Sequence, residues 1–206
     1  MSFYQRKILP HVINCACGQP AIAVQRSRVV PQAAGQVLEL GIGTGLNAQH
    51  YDPDQVEHVI GLDPSVESWS MAEPKMRQQD IAFEYIAGSA EDIPLASASV
   101  DSVVLTYTLC TIPEPERALK EVARVLRAEG RVLIAEHARS PDAGIARWQD
   151  RLDGPWGRIA GGCHLNRDIR GLLDQSPLRV THWDSRYLPK TPKIAGFNVW
   201  GEARLA

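Results

Sequence analysis

The chain of 206 residues has no apolar run near the about 20 residues a membrane span needs. It has no excess of one charge. The 22 Lys and Arg stand against 24 Asp and Glu, and a net charge of −2 gives no case for a nucleic-acid partner. Its four cysteines form no C-x-x-C pair, because Cys15 and Cys17 are spaced C-x-C and Cys110 and Cys163 stand alone. That is neither a zinc spacing nor a disulfide framework. No metal triad is evident along the chain, so metal-independent chemistry is expected. Internal repeats and low-complexity linkers are also missing. Arg6 and Lys7 are followed by Pro10, His11 and Asn14 in place of a long apolar stretch, so no signal peptide is expected and the cytoplasm is the default. What remains is 44% hydrophobic and 22% charged, the make-up of an ordinary globular chain with length for one full core.

The most informative stretch carries an absence of its own. Val37-Leu38-Glu39-Leu40 runs into Gly41, Gly43 and Gly45, spaced G-x-G-x-G, and Leu46 stands where a dinucleotide fingerprint has its third glycine. A second apolar run closes on Gly61-Leu62-Asp63. Strand, glycine turn and a later acidic strand end make a nucleotide-cradling start. Without the third glycine the turn suits a ligand lacking a pyrophosphate, and Leu46 counts against a nicotinamide dehydrogenase. S-adenosylmethionine is such a ligand. Its amino-acid tail fits over the glycine turn, and Asp63 is placed to accept from both ribose hydroxyls.

Strands and helices alternate from residue 36 onward. Strands are expected at about 36–41, 56–62, 82–87, 100–106 and 131–137. Helices are expected from Thr44 to Tyr51, after Asp63 to about Gln79 with Ser65 as N-cap, and from Pro113/Pro115 to about Leu126. This order predicts an α/β, Rossmann-like, doubly wound sheet of seven strands, mostly parallel, ending in an antiparallel hairpin at about 178–188 and 194–203. One domain, 1–206, is expected: a helical lid over 1–30, a cofactor-binding core over 31–138 and an acceptor-shaping tail over 139–206. Residues 3–30 read as two helical pieces broken near Gly18 and Pro20. They could pack on the body, cover the ligand site or touch a lipid surface, and packing is the usual outcome. Ligands in such sheets bind beyond the carboxyl ends of the strands, which here carry Gly41, Asp63, Gly88, Thr106 and His137.

These residues together resemble the class I S-adenosylmethionine-dependent methyltransferases. Val37–Gly45 matches the family's first motif, and Gly61-Leu62-Asp63-Pro64-Ser65 its acidic loop. Gly88-Ser89-Ala90-Glu91-Asp92-Ile93-Pro94 resembles the adenine loop, and Ser99–Val104 the fourth strand. Glu121–Arg127 with Gly130-Arg131 matches the approach to strand five. A narrower resemblance is to the alkyl-thiol methyltransferase group. It rests on Leu109-Cys110-Thr111, Glu136-His137, Trp148-Gln149, Leu152–Trp156 and Gly162-Cys163-His164-Leu165. Small bacterial quinone and phospholipid methyltransferases are similar over the core.

The resemblance implies S-adenosyl-L-methionine as cofactor and a small-molecule acceptor. It places Glu39, Gly41, Gly43, Gly45, Asn47, Asp63, Pro64, Ser65, Ser89, Ala90, Glu91 and Thr106 around the cofactor. Tyr107, Cys110, His137, Trp148, Trp156, Cys163 and His164 are the acceptor candidates. His137 is the expected base or orienting group, with His11 and His164 as rivals, and Thr106 is expected either to lend its carbonyl or hydroxyl to the methyl or substrate or to pack under the cofactor. On the tail resemblance a thiol is the first acceptor, and it needs little help from a base because it already supplies some thiolate near neutral pH. A phospholipid amine or quinone-type phenol comes second, and a cofactor-binding regulator without turnover is the non-enzyme alternative.

Overall fold

The structure, a computed structural model, describes residues 3–206. Apolar residues of period two build the centre of a sheet. Val103 and Leu105 face one side and Val104 the other, and Val132 and Ile134 oppose Leu133 and Ala135 in the same way. Strands buried on both faces read as continuous apolar runs. They are β1 (Gly35–Leu40), β2 (Val56–Asp63), β3 (Ala82–Ala87), β4 (Val100–Thr106) and β5 (Leu126–His137), followed by β6 (Leu178–Tyr187) and β7 (Phe197–Leu205). They lie in the order β3-β2-β1-β4-β5-β7-β6, and the first five named are parallel. β7 runs antiparallel to both its neighbours, as the expected final hairpin requires.

Helices cover both faces. α1 (Phe3–Lys7), α2 (Leu9–Cys17) and α3 (Pro20–Val29) precede the sheet, and α4 (Val66–Met76) follows β2. α5 (Pro115–Val125) buries Ala118, Leu119, Val122 and Val125 against β4 and β5. α6 (Ala143–Ile159), α7 (Ile169–Asp174) and the short α8 (Lys193–Gly196) belong to the tail. Val29 and Met76, from α3 and α4, share the second core with Val37, Val59, Val104 and Trp200. Burying each such side chain contributes about 1.5–3 kcal/mol.

Four expectations are corrected. The helix from Thr44 to Tyr51 is a run of turns with a 3-10 turn at Ala48–His50, because Gly45 is left-handed (φ 71°) and the fully buried Asn47 is pinned by tertiary bonds. The N-terminal segment forms three helices, since the chain also breaks between Lys7 and Leu9, next to Pro10. β5 starts at Leu126, five residues before the expected 131, because Leu126 already pairs with Val100 ahead of an irregularity in register. β7 starts at Phe197, because Lys193–Gly196 is helical. Among the described residues no helix is long and apolar enough to cross a membrane.

Candidate active site

The strand order reverses between β1 and β4, and this is where an open α/β sheet leaves a crevice at its carboxyl edge. Registers align the strand ends. Leu40 pairs with Leu62 and Leu105, Thr106 with Ala135, and His137 with Asn198.

The glycine turn is forced by its surroundings. Gly41 (φ 67°) lies so close to Thr108 that a Cβ would stand 2.4 Å from its hydroxyl, and a Cβ on Gly45 would stand 2.9 Å from the Ala72 backbone on α4. Gly45 therefore supplies the close helix approach that the fingerprint's third glycine gives elsewhere. Gly43 (φ 51°) differs, with no atom nearer than 3.6 Å to its missing Cβ. Its conformation needs glycine while the space above it is open.

Asp63 ties this turn to the next loop. Its Oδ2 accepts from Gly43 N (2.9 Å) and its Oδ1 from Ser65 N (2.7 Å). Burial raises its pKa against those two bonds. A carboxylate offers about four lone-pair sites, so one acceptor direction per oxygen is left for a pair of hydroxyls. Ser65 caps α4 by accepting from Ser68 N (3.1 Å), and the Tyr85 hydroxyl donates to the Asp63 carbonyl (2.7 Å) with its ring stacked on Trp69. Pro64 is exposed at the turn.

Glu39 is 2% exposed and receives the Asn47 amide (2.8 Å) and the Tyr51 hydroxyl (2.6 Å). Burial pushes its pKa up to about 7, against the Tyr51 bond, the Arg26 charge and the Asn47 bond. Asn47 also donates to Thr106 Oγ1 (2.9 Å), and Arg26 Nη1 donates to both Asn47 Oδ1 (2.8 Å) and Thr106 Oγ1 (2.6 Å). The Thr106 hydroxyl thus accepts two bonds and holds the site together, with no lone pair spare to take a proton. Arg26, 5% exposed on α3 and 5.0 Å from the Tyr107 ring centroid, was not among the sequence candidates. The only local hint was a pair of basic residues, Arg26 and Arg28, in the last turn of α3.

The adenine-loop candidates are held from α5. Glu121 accepts from Ile93 N, and Arg124 donates to the Ile93 and Leu95 carbonyls. The Ser89 hydroxyl bonds the Glu91 carboxylate, which also accepts from Glu114 N (3.2 Å), so Glu91 serves its own loop. Ala90 is partly buried against the core.

Beyond β4, Tyr107 is left-handed (φ 56°) and turns its hydroxyl to Asn198 Oδ1 (2.7 Å). The next residues hang from Glu136, whose Oε1 accepts from Thr108 N (2.7 Å) and Leu109 N (2.8 Å). Glu136 is fully buried, its pKa is raised chiefly by that burial, and among the described residues its Oε2 has no partner. Sequence reading found Glu136 only as a neighbour of His137.

His137 Nε2 stands 3.1 Å from Cys163 Sγ, which is 3.7 Å from Cys110 Sγ. Burial works to lower the His137 pKa, but Cys163 and Glu136 beside it hold it above the usual value. Gly161 (φ 66°) and Gly162 (φ 89°) turn the chain after α6 so that Cys163 meets Cys110, and His164 N donates to the Cys110 carbonyl (2.8 Å). Cys17, at the end of α2, has its thiol pKa pushed up by burial, with Arg26 lowering it and Cys163 and Glu136 raising it.

Other candidates stand elsewhere. His164 bonds Asp153 Oδ2 (2.8 Å) and anchors the 163–165 turn to α6. Trp148 is 54% exposed beneath Arg151, and Trp156 is 36% exposed, so neither is a buried pocket wall. His11 is exposed on α2.

A family model described as a methyltransferase domain matches residues 38–134. The thiol S-methyltransferase TMT1B of Rattus norvegicus is 34% identical over 170 residues, 78% of this chain and 68% of that protein. The TMT1B of Homo sapiens is 34% identical over 176 residues, 80% of this chain and 71% of that one. A solved methyltransferase of Leishmania major shares the fold with a TM-score of 0.70 at 13% identity, over 98% of this chain and 80% of that one. The sheet order, the glycine turn and the acidic second strand end define a nucleoside-binding α/β enzyme. The chain belongs to the class I S-adenosylmethionine-dependent methyltransferases. The family implies S-adenosylmethionine as methyl donor. The open space at Gly43 and the free acceptor directions on Asp63 fit that donor.

Proposed function

We propose that this methyltransferase acts on the sulfur of a small thiol. The observation that carries the reading is the similarity to thiol S-methyltransferases over 170 residues, longer than the 38–134 core and so reaching into flanking segments that shape an acceptor site. The chemistry of the strand ends agrees. The Thr106 hydroxyl, the Tyr107 hydroxyl and Glu136 Oε1 are all engaged in structural bonds, His137 Nε2 faces Cys163, and the unpartnered Glu136 Oε2 is sealed in the interior. An ammonium or phenol acceptor needs a free base, whereas a thiol of pKa about 8.5 brings part of its own thiolate.

When bound, the donor supplies an electrophilic sulfonium methyl. In this reading Gly41, Gly43 and Gly45 present backbone to its amino-acid part, and Asp63 accepts from its ribose. Ser89 and Ala90 line the adenine side. Glu39 and Asn47 fix the floor of the crevice, and Arg26 locks α3 over it. Leu109 and Cys110, both buried, keep water from the end of β4. Exclusion of water favours the reaction, because an anionic sulfur and a cationic sulfonium cancel as the new bond forms. His137 orients the acceptor side through Cys163.

The test is S-adenosylhomocysteine formation with a small alkyl thiol beside phosphatidylethanolamine vesicles. Turnover with the thiol alone is expected; turnover with the vesicles alone would overturn the reading.

A further inference from the structure

Three soft donor atoms that no sequence spacing joins meet at the carboxyl edge of the sheet. Cys110 Sγ, His137 Nε2 and Cys163 Sγ all lie within 4.8 Å of one another. They come from the loop after β4, the last residue of β5 and the turn after α6. We infer that this group is a binding site for one zinc-type cation, with two thiolates, one imidazole and an open fourth position.

The geometry is that of a tetrahedral edge. Zinc–sulfur bonds of about 2.3 Å put two thiolate sulfurs about 3.8 Å apart. The Cys110–Cys163 separation is 3.7 Å, and the His137–Cys163 separation is 3.1 Å. On the Cys163 side the imidazole stands a few tenths of an ångström inside the sulfur–nitrogen edge of a tetrahedral site, about 3.5 Å. Two thiolates and an imidazole are donors that select zinc over magnesium or calcium.

The frame around the donors is built. Glu136 suspends the loop that carries Cys110 by two backbone bonds, and the His164 N–H holds the Cys163 turn to the Cys110 carbonyl. Cys110 is 2% exposed and Glu136 is fully buried. Glu136 Oε2 and His137 Nδ1 are buried without partners among the described residues, so a buried carboxylate stands beside the donors with half its acceptor capacity unused. A cation held by His137 offsets that carboxylate. Cys15, exposed on α2, stands outside the group.

Three protein ligands and one open position are the arrangement of catalytic zinc sites. The fourth position takes a thiol as thiolate, its proton passing to solvent with no change of oxidation state. That last assignment rests on the thiol reading; the metal site itself does not.

The experiment uses the full chain, stripped of metal by a chelator and kept reduced with a phosphine, titrated with Co²⁺ alone. One equivalent is expected to bind, giving thiolate-to-cobalt charge transfer and the strong visible bands of a tetrahedral ion, and Zn²⁺ is expected to abolish both. Cys163→Ser is expected to lose about half of the charge-transfer intensity, one of two thiolates, whereas Cys15→Ser leaves the spectrum unchanged. Circular dichroism confirms that both variants are folded. Adding a small alkyl thiol is expected to shift the visible bands of the wild type. No tetrahedral spectrum, or one that Cys163→Ser leaves intact, overturns the metal site. A bound ion whose bands ignore the thiol overturns the open position. Neither donor nor turnover enters the titration, so its failure stays distinct from failure of thiol methylation.

Discussion

Arg26 Nη1 stands 2.6 Å from Thr106 Oγ1 and fastens the last turn of α3 to the end of β4. The same nitrogen holds Asn47, and Asn47 holds Glu39, so one guanidinium joins the N-terminal helices, the glycine loop and β4. Replacing it with a group of similar volume leaves the Asn47 carbonyl oxygen without its donor and Glu39 without its nearby cation. Arg26→Met is expected to lower unfolding free energy by about 3 kcal/mol, read from urea denaturation. A loss below about 0.5 kcal/mol would contradict the role given to Arg26.

Glu39 makes stability depend on pH in a stated direction. Its pKa is raised from 4.5 to about 7, so the folded chain keeps a proton there that the unfolded chain releases between those values. The folded state binds more protons across that window, and stability from this group falls as pH rises from about 4.5 to 7. The deficit is complete above pH 7 and amounts to roughly 3 kcal/mol. Glu39→Gln removes the titration. Its stability relative to the wild type is expected to improve as pH rises from 5 to 8, and parallel curves would refute the assignment.

The three glycines of the turn separate by space. Gly43→Ala meets open room and suffers only backbone strain, about 1–2 kcal/mol, yet it fills the cradle. It is expected to weaken S-adenosylmethionine binding more than tenfold with the fold retained. Gly45→Ala drives a Cβ against Ala72 and is expected to cost more stability than Gly43→Ala. Calorimetry and urea melts of the pair check this, and equal effects on binding and stability would contradict it.

Asp63→Asn replaces one acceptor oxygen of the carboxylate with a donor amide, opposite either Gly43 N–H or Ser65 N–H. Donor affinity is expected to fall at least tenfold while circular dichroism is unchanged. Unaltered affinity would remove Asp63 from the ribose site.

The parallel core was legible because strands buried on both faces spell themselves as apolar runs, and Gly41, Gly43, Gly45 and Asp63 stand at their ends. Ser65 was legible as a cap because capping is local. The 44–51 segment was not, since its conformation is decided by the Asn47 amide reaching Glu39 and Thr106, not by helical spacing. Arg26 and Glu136 were hidden for the same reason. A buried charge is set by partners distant in sequence, Thr106 for the first and Thr108 and Leu109 for the second. Cys110, His137 and Cys163 look isolated until the Gly161-Gly162 turn brings the third to the first. Trp148 and Trp156 were acceptor candidates by their place in the tail, and both lie exposed on α6.

The most direct measurement of the central claim is where the methyl goes. The full chain is incubated with S-adenosylmethionine carrying a deuterated methyl group and an acceptor that bears both a thiol and a primary amine. The product is then fragmented by mass spectrometry. The account predicts the label on sulfur, as a thioether formed in step with S-adenosylhomocysteine. Label on nitrogen, or S-adenosylhomocysteine with both groups unmodified, would contradict it.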